Sequence, residues 1–223
     1  MLSRILALFL FFVATAAAAS DAPRILVLGD SFMTTNARDQ ASVSHELSRI
    51  TGAKVKSRAV TGARFMYALP ITGALGMNIS RQYREGRWDY VVMNGGGNDL
   101  WMGCGCGPCN RRMEKLITAD GTQGAIPALV SRARAGGAQV IYVGYLRSPG
   151  RGSPIEGCRE VGDRFEARIA QMASRDPGIT YVSLQDMVPH GDRSFHALDM
   201  IHPSPKGSTA AAMRIADAIA AKK

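Results

Sequence analysis

The chain has 223 residues, 46% of them hydrophobic, with a formal net charge of +9. That length supports one substantial core, and neither an internal repeat nor a low-complexity linker divides it. The basic residues are scattered, with Arg111-Arg112 only a pair and no aromatic-interleaved basic stripe, which argues against nucleic-acid binding and leaves a solvated arginine-rich surface able to face an anionic one.

The first segment differs in kind from the rest. Met1 to Arg4 is a short positive start, Ile5 to Val13 is almost wholly apolar, and Ala14 to Ser20 is rich in small residues. This pattern reads as a secretory signal peptide over residues 1–19, followed by a single domain over 20–223. The apolar run falls short of the roughly 20 residues a membrane helix needs, so no stable span is expected after cleavage. The expected location is periplasmic or secreted.

Beyond it, short apolar runs alternate with helical patterns. Strands are expected at Arg24–Leu28, Asp89–Met93, Gln139–Tyr145 and Ile179–Leu184, with Val55–Val60 a weaker candidate. Helices are expected at Ala41–Ile50, Gly76–Arg84, Thr122–Ala135, Val161–Ser174 and Pro205–Ala220, the last with Ser204 as its N-cap. Such alternation predicts an α/β doubly wound domain, in which ligands bind outside the carboxyl ends of the strands. The loops after the strands carry Ser31, Gly62, Asn98 and the Asp199–His202 stretch, so they are expected to converge on one pocket.

A serine hydroxyl needs a base within hydrogen-bond reach to act as a nucleophile. Of the four histidines, His45 falls in an amphipathic helix, and His190 and His196 lie in a segment of ordinary turn composition. His202 stands out because Asp199 precedes it by three residues and Pro203 follows it. In a tight turn that carboxylate can hold the imidazole Nδ1–H while Nε2 faces outward, although the same string can be a capped turn before a helix. Donors for a developing oxyanion are available from Asn98 and from the backbone of Gly62 and Ser31. The Gly95-Gly96-Gly97 run is not followed by a Walker lysine, and no dinucleotide fingerprint is present.

Together these blocks carry a resemblance. Gly29-Asp30-Ser31, Gly62, Gly96-Gly97-Asn98-Asp99 and Asp199-Met200-Ile201-His202-Pro203 stand in the order of the four blocks of the SGNH hydrolase superfamily, also called GDSL-type esterases and lipases. The resemblance implies a three-layer α/β/α flavodoxin-like sandwich on a mainly parallel five-stranded sheet. It also implies a Ser31–His202–Asp199 triad and an oxyanion hole from the Ser31 N–H, the Gly62 N–H and the Asn98 amide, with no cofactor and no metal. The leucine usual after Gly-Asp-Ser is Phe32 here, which bears on substrate shape. Asp30 is expected to bond local backbone amides and shape the turn. No G-x-S-x-G elbow is present, which argues against the ordinary α/β-hydrolase fold.

The reading is a serine ester hydrolase working through an acyl-enzyme on an O-acylated glycan or a small acyl ester. A lysophospholipase- or thioesterase-like lipid hydrolase is the alternative. Cys106-Gly-Pro-Cys109 supplies a different one, a thiol–disulfide oxidoreductase. Cys104, Cys106, Cys109 and Cys158 could also hold zinc, but two disulfides are preferred, at least one joining the 104–109 segment to Cys158. Sequence leaves three pairings open. The stretch from Leu100 to Thr118 reads as a long loop forming a substrate wall or lid.

Overall fold

The computed structural model describes residues 22–222; the expected signal segment lies outside them. Five strands form one sheet: β1 (Arg24–Leu28), β2 (Lys54–Ser57), β3 (Tyr90–Met93), β4 (Gln139–Val143) and β5 (Ile179–Val182). All neighbours pair in parallel, in the order β2-β1-β3-β4-β5. This is the flavodoxin-like order, with the chain reversing direction across the sheet between β1 and β3.

Strand periodicity explains why both faces need cover. Ile25 and Val27 of β1, Val92 of β3 and Ile141 and Val143 of β4 point to one face. There they pack against α2 (Val43–Thr51) and α8 (Pro205–Ala220), through Leu47, Ala211, Ile215 and neighbours. Leu26, Leu28, Val91, Met93, Val140 and Tyr142 point the other way. They meet α6 (Ala125–Ala135) and α7 (Arg159–Ala173), including Leu129, Phe165 and Ile169. The three-layer α/β/α sandwich is the architecture the sequence implied. The weakest predicted strand, β2, is an edge strand, where Lys54 and Lys56 are exposed. Lysines on a free edge oppose pairing with another chain.

The helix starts follow local chemistry. Ser42 caps α2, and the Ser204 hydroxyl accepts from the Gly207 N–H at 3.1 Å, with Pro205 in the first turn of α8. The remaining helices are short: α1 (Ser31–Thr34), α3 (Pro70–Thr72), α4 (Gly97–Cys104) and α5 (Asn110–Leu116).

Two expectations are corrected. The helix expected over Gly76–Arg84 is replaced by a kinked turn through Gly73–Met77 and a single 3-10 turn at Ile79–Arg81. Gly76 takes φ +110, and Asn78 is extended because it bridges to Arg64. The Leu100–Thr118 stretch is not a long loop, since it contains most of α4 and all of α5. Left-handed Gly105 and Cys106 turn the chain between those two helices.

Candidate active site

Ser31 opens α1 immediately beyond the carboxyl end of β1. The turn that brings it there is fixed from behind. Gly29 takes φ +143, and a Cβ on it would meet Asn94 Oδ1 at 1.9 Å, so no other residue fits. The buried Gln82 side chain accepts from the Gly29 N–H at 2.7 Å and donates to the Gly29 carbonyl at 2.8 Å and to the Gly76 carbonyl at 2.8 Å.

Asp30 does more than the local bonding expected of it. Its Oδ1 accepts from the Phe32 N–H at 3.0 Å and from the Asn94 amide at 3.1 Å, while Oδ2 accepts from the Tyr145 hydroxyl at 2.6 Å. Burial pushes the Asp30 carboxyl above the ordinary aspartate range, with the hydrogen bonds from Tyr145, Phe32 and Asn94 pulling the other way. Burial, together with the Asp30 charge, drives the Tyr145 phenol well above its usual value, so it remains a donor. The same hydroxyl accepts from the Gly97 N–H at 3.2 Å, joining the loops after β1, β3 and β4.

The second and third motif loops are clamped together. Val60 to Ala63 forms a turn closed by a 3.0 Å backbone bond, and Gly62 supplies the φ of +78 that its third position needs. Fully buried Asp99 accepts the N–H groups of Phe65 and Met66 at 2.9 and 2.8 Å. The Asn98 amide donates to the Ala63 carbonyl at 3.1 Å, leaving its second N–H free for a ligand. Among the described residues, neither the Ser31 N–H nor the Gly62 N–H has a protein acceptor. Each glycine of the 95–97 run lies against a side chain, Phe65, Phe165 and Tyr145 respectively, which accounts for the run without a phosphate.

The histidine comes from the far end of the fold. After β5 the chain forms a hairpin in which His196 bridges to Pro203. Asp199 Oδ2 lies 2.6 Å from His202 Nδ1, and its Oδ1 accepts the backbone N–H groups of Ile201 and His202 at 3.0 Å each. Desolvation raises the Asp199 carboxyl, but the His202 ring and the two backbone donors outweigh it and hold it below the usual range. Buried Met200 is left-handed at φ +56, and its carbonyl accepts from the Ser153 hydroxyl at 2.7 Å. A left-handed non-glycine residue beside a reactive group marks a backbone held in place by its surroundings.

Ser31, Asn98 and His202 line one cavity of ≈130 Å³. Gly62 and Asp199 do not line it; Asp199 holds the His202 ring from outside the lining. No hydrogen bond joins Ser31 to His202 among the described residues. Nor does any cluster of three or more His, Cys, Asp or Glu side chains there have the arrangement of a metal site.

The profile of the GDSL-like lipase/acylhydrolase family matches residues 27–210. The chain belongs to this family. It is an ester-bond hydrolase. Solved structures share its fold. An SGNH-assigned protein from Slackia heliotrinireducens is 23% identical with a TM-score of 0.64, covering 89% of this chain and 100% of its own. An acetyl xylan esterase from the rumen bacterium Butyrivibrio proteoclasticus is 14% identical with a TM-score of 0.59, over 90% of this chain and 64% of its own. A family two carbohydrate esterase from Clostridium thermocellum, in complex with cellohexaose, is 20% identical with a TM-score of 0.57, over 90% and 64%. No curated relative matches the chain.

In this GDSL-like hydrolase the cysteines form two disulfides, Cys104–Cys109 and Cys106–Cys158. The second is the expected link to the Cys158 loop. Cys106 and Cys109 are bonded to different partners, so the Cys-Gly-Pro-Cys string does not form the dithiol pair of an oxidoreductase. Gln82, Asn94, Tyr145 and the clamping role of Asp99 escaped the sequence reading. Only Asp99 carried a local signal, its place directly after Asn98.

Proposed function

We propose that this hydrolase cleaves acyl esters through Ser31 as nucleophile, His202 as base and Asp199 as the group that orients the ring. The observation that carries the reading is the 2.6 Å Asp199–His202 pair presented to the cavity that Ser31 and Asn98 also line. With Nδ1–H held by Asp199, the lone pair of Nε2 is free to take the Ser31 proton. Ser31 Oγ attacks the ester carbonyl carbon, and the carbonyl oxygen becomes an oxyanion facing the Ser31 N–H, the Gly62 N–H and the Asn98 amide. Donors of this kind each contribute about 3–4 kcal/mol to the barrier lowering where they have been removed singly. The imidazolium then gives its proton to the leaving alcohol, and the bond from carbonyl carbon to alcohol oxygen breaks. Water, deprotonated by His202, repeats the sequence on the acyl-enzyme and releases the acid and free Ser31.

The alcohol portion of the substrate is proposed to be a glycan or a small alcohol. The carbohydrate esterases among proteins of like fold support a glycan, and the net positive charge would suit an anionic one. Residues 1–19 are proposed to direct export to the periplasm or beyond, where both disulfides would persist.

Ser31→Ala should reduce hydrolysis of p-nitrophenyl esters by at least 10³-fold while leaving thermal unfolding within a degree or two of wild type. A serine-directed phosphonate probe should label wild type on Ser31. Normal turnover by a folded Ser31→Ala protein would refute the mechanism.

A further inference from the structure

The cavity beside Ser31 has a polar mouth and an apolar interior. Exposed Glu156 and Arg159 stand at the mouth, while Phe32, Leu100, Leu146, Val161 and Phe165 are buried along the interior. Of the charged groups on the wall, Arg147 and Glu166 are paired with each other, and the buried Arg147 Nε has no partner among the described residues. Arg147 gives its NH1 and NH2 groups to Glu166 at 3.0 and 2.7 Å, and NH2 also to Asp163 at 2.7 Å. Glu166 further accepts from the Tyr145 N–H and the Tyr181 hydroxyl. A sugar ring entering this space would exchange its hydration for few partners, whereas a hydrocarbon would lose nothing.

Gly162 sits in the first turns of α7 on the cavity wall. Its backbone is not left-handed, and a Cβ there would meet only the Arg147 guanidinium, at 3.6 Å. Neither conformation nor crowding therefore requires glycine, and within a helix glycine is unfavourable against alanine. What the missing side chain supplies is space in the cavity.

We infer that this cavity is an acyl pocket kept open by Gly162, and that the enzyme prefers acyl groups of about four to six carbons over acetyl. The inference rests on the hydrolase reading of Ser31. A cavity of about 150 Å³ holds a six-carbon benzene, so ≈130 Å³ holds about five carbons. An acetyl group would leave most of that apolar volume unused. The alcohol portion stays at the polar mouth. The lining also includes Cys106 and Cys158, whose disulfide fastens the start of α7 to the turn after α4.

The test is kcat/KM for p-nitrophenyl acetate, butyrate, pentanoate, hexanoate and octanoate with wild type, Gly162→Ala and Gly162→Leu. Each buried methylene is worth about fourfold, so pentanoate should exceed acetate by roughly 10- to 60-fold in wild type. The pentanoate-to-acetate ratio should fall in Gly162→Ala and fall at least tenfold in Gly162→Leu, with circular dichroism melts verifying the folds. Gly162→Ala, the smaller change, decides the matter if the leucine variant does not fold. Wild-type preference for acetate, or a ratio unchanged in a folded Gly162 variant, overturns the acyl-pocket inference alone. Failure of the folded wild type to hydrolyse any of the esters overturns the hydrolase mechanism and this inference with it.

Discussion

Gln82 holds the turn before Ser31 at a point where nothing else can replace it, and its loss should be costly. In Gln82→Met a side chain of similar length keeps the volume but removes one acceptor and two donor contacts. The Gly29 carbonyl retains the Val60 N–H at 3.1 Å, whereas the buried Gly29 N–H has no other acceptor among the described residues. An orphaned buried donor costs about 1–3 kcal/mol, and each further lost bond about 0.5–1.5 kcal/mol. The sum is about 2–6 kcal/mol, or roughly a 4–24 °C fall in Tm for a domain of this size. Urea unfolding followed by tryptophan fluorescence measures it directly. Gln82→Glu gives a second arm. Facing the Gly29 and Gly76 carbonyls, the new carboxyl must hold its proton, so its folded pKa lies above the unfolded value. Its stability is then fully present below the unfolded pKa and lost as pH rises through the folded one. Relative to wild type, Gln82→Glu should regain stability between pH 7 and pH 5. A destabilisation under 1 kcal/mol in Gln82→Met, or no acid recovery in Gln82→Glu, would refute this account of the turn.

His196 is buried with neither ring nitrogen hydrogen-bonded, and burial lowers its pKa against the opposing pull of the Asp199 and Asp192 charges. The unfolded chain therefore binds a proton near pH 6.5 that the folded chain resists, and stability falls as pH drops below that value. His196→Phe should lose less stability than wild type between pH 7 and pH 5 in urea titrations; equal losses would contradict it. For the disulfides, loop-closure entropy puts Cys106–Cys158, spanning 52 residues, at about 4 kcal/mol and Cys104–Cys109, spanning 5, at about 2 kcal/mol. Paired Cys→Ala variants compared by denaturant melts should preserve that order, and the reverse order would count against the unfolded-state explanation.

The residues proposed to carry chemistry were legible because each sits in a short local string after a strand. Ser31 needs its glycine, His202 needs Asp199 one turn away, and every strand except the lysine-bearing edge strand β2 announces itself as an apolar run. The residues that hold those strings in place were not legible. Gln82 reaches Gly29 across 53 positions and Tyr145 reaches Asp30 across 115, and no local pattern encodes such a meeting. The segment from Gly76 misled because its apolar spacing suits a helix, while Gly76 and the bridge from Asn78 to Arg64 break one. In the 100–118 stretch, glycine and cysteine density suggested a loop; two disulfides supply the stability that lets short helices form there. His196 looked like a turn residue because burial by the returning Pro203 strand is a tertiary event.

The serine follows the first strand to be made and the histidine follows the last, and β5 joins the sheet only through β4. The cavity therefore has a birth order. On the proposed mechanism a chain that ends before the hairpin carries the nucleophile Ser31 but lacks His202, its base. Competence on that mechanism requires this hairpin, which Asn36 holds at the Pro203 carbonyl and Ser153 at the Met200 carbonyl. If that mechanism holds, the fold makes its own time lock, and a partly made chain is silent towards the esters it meets.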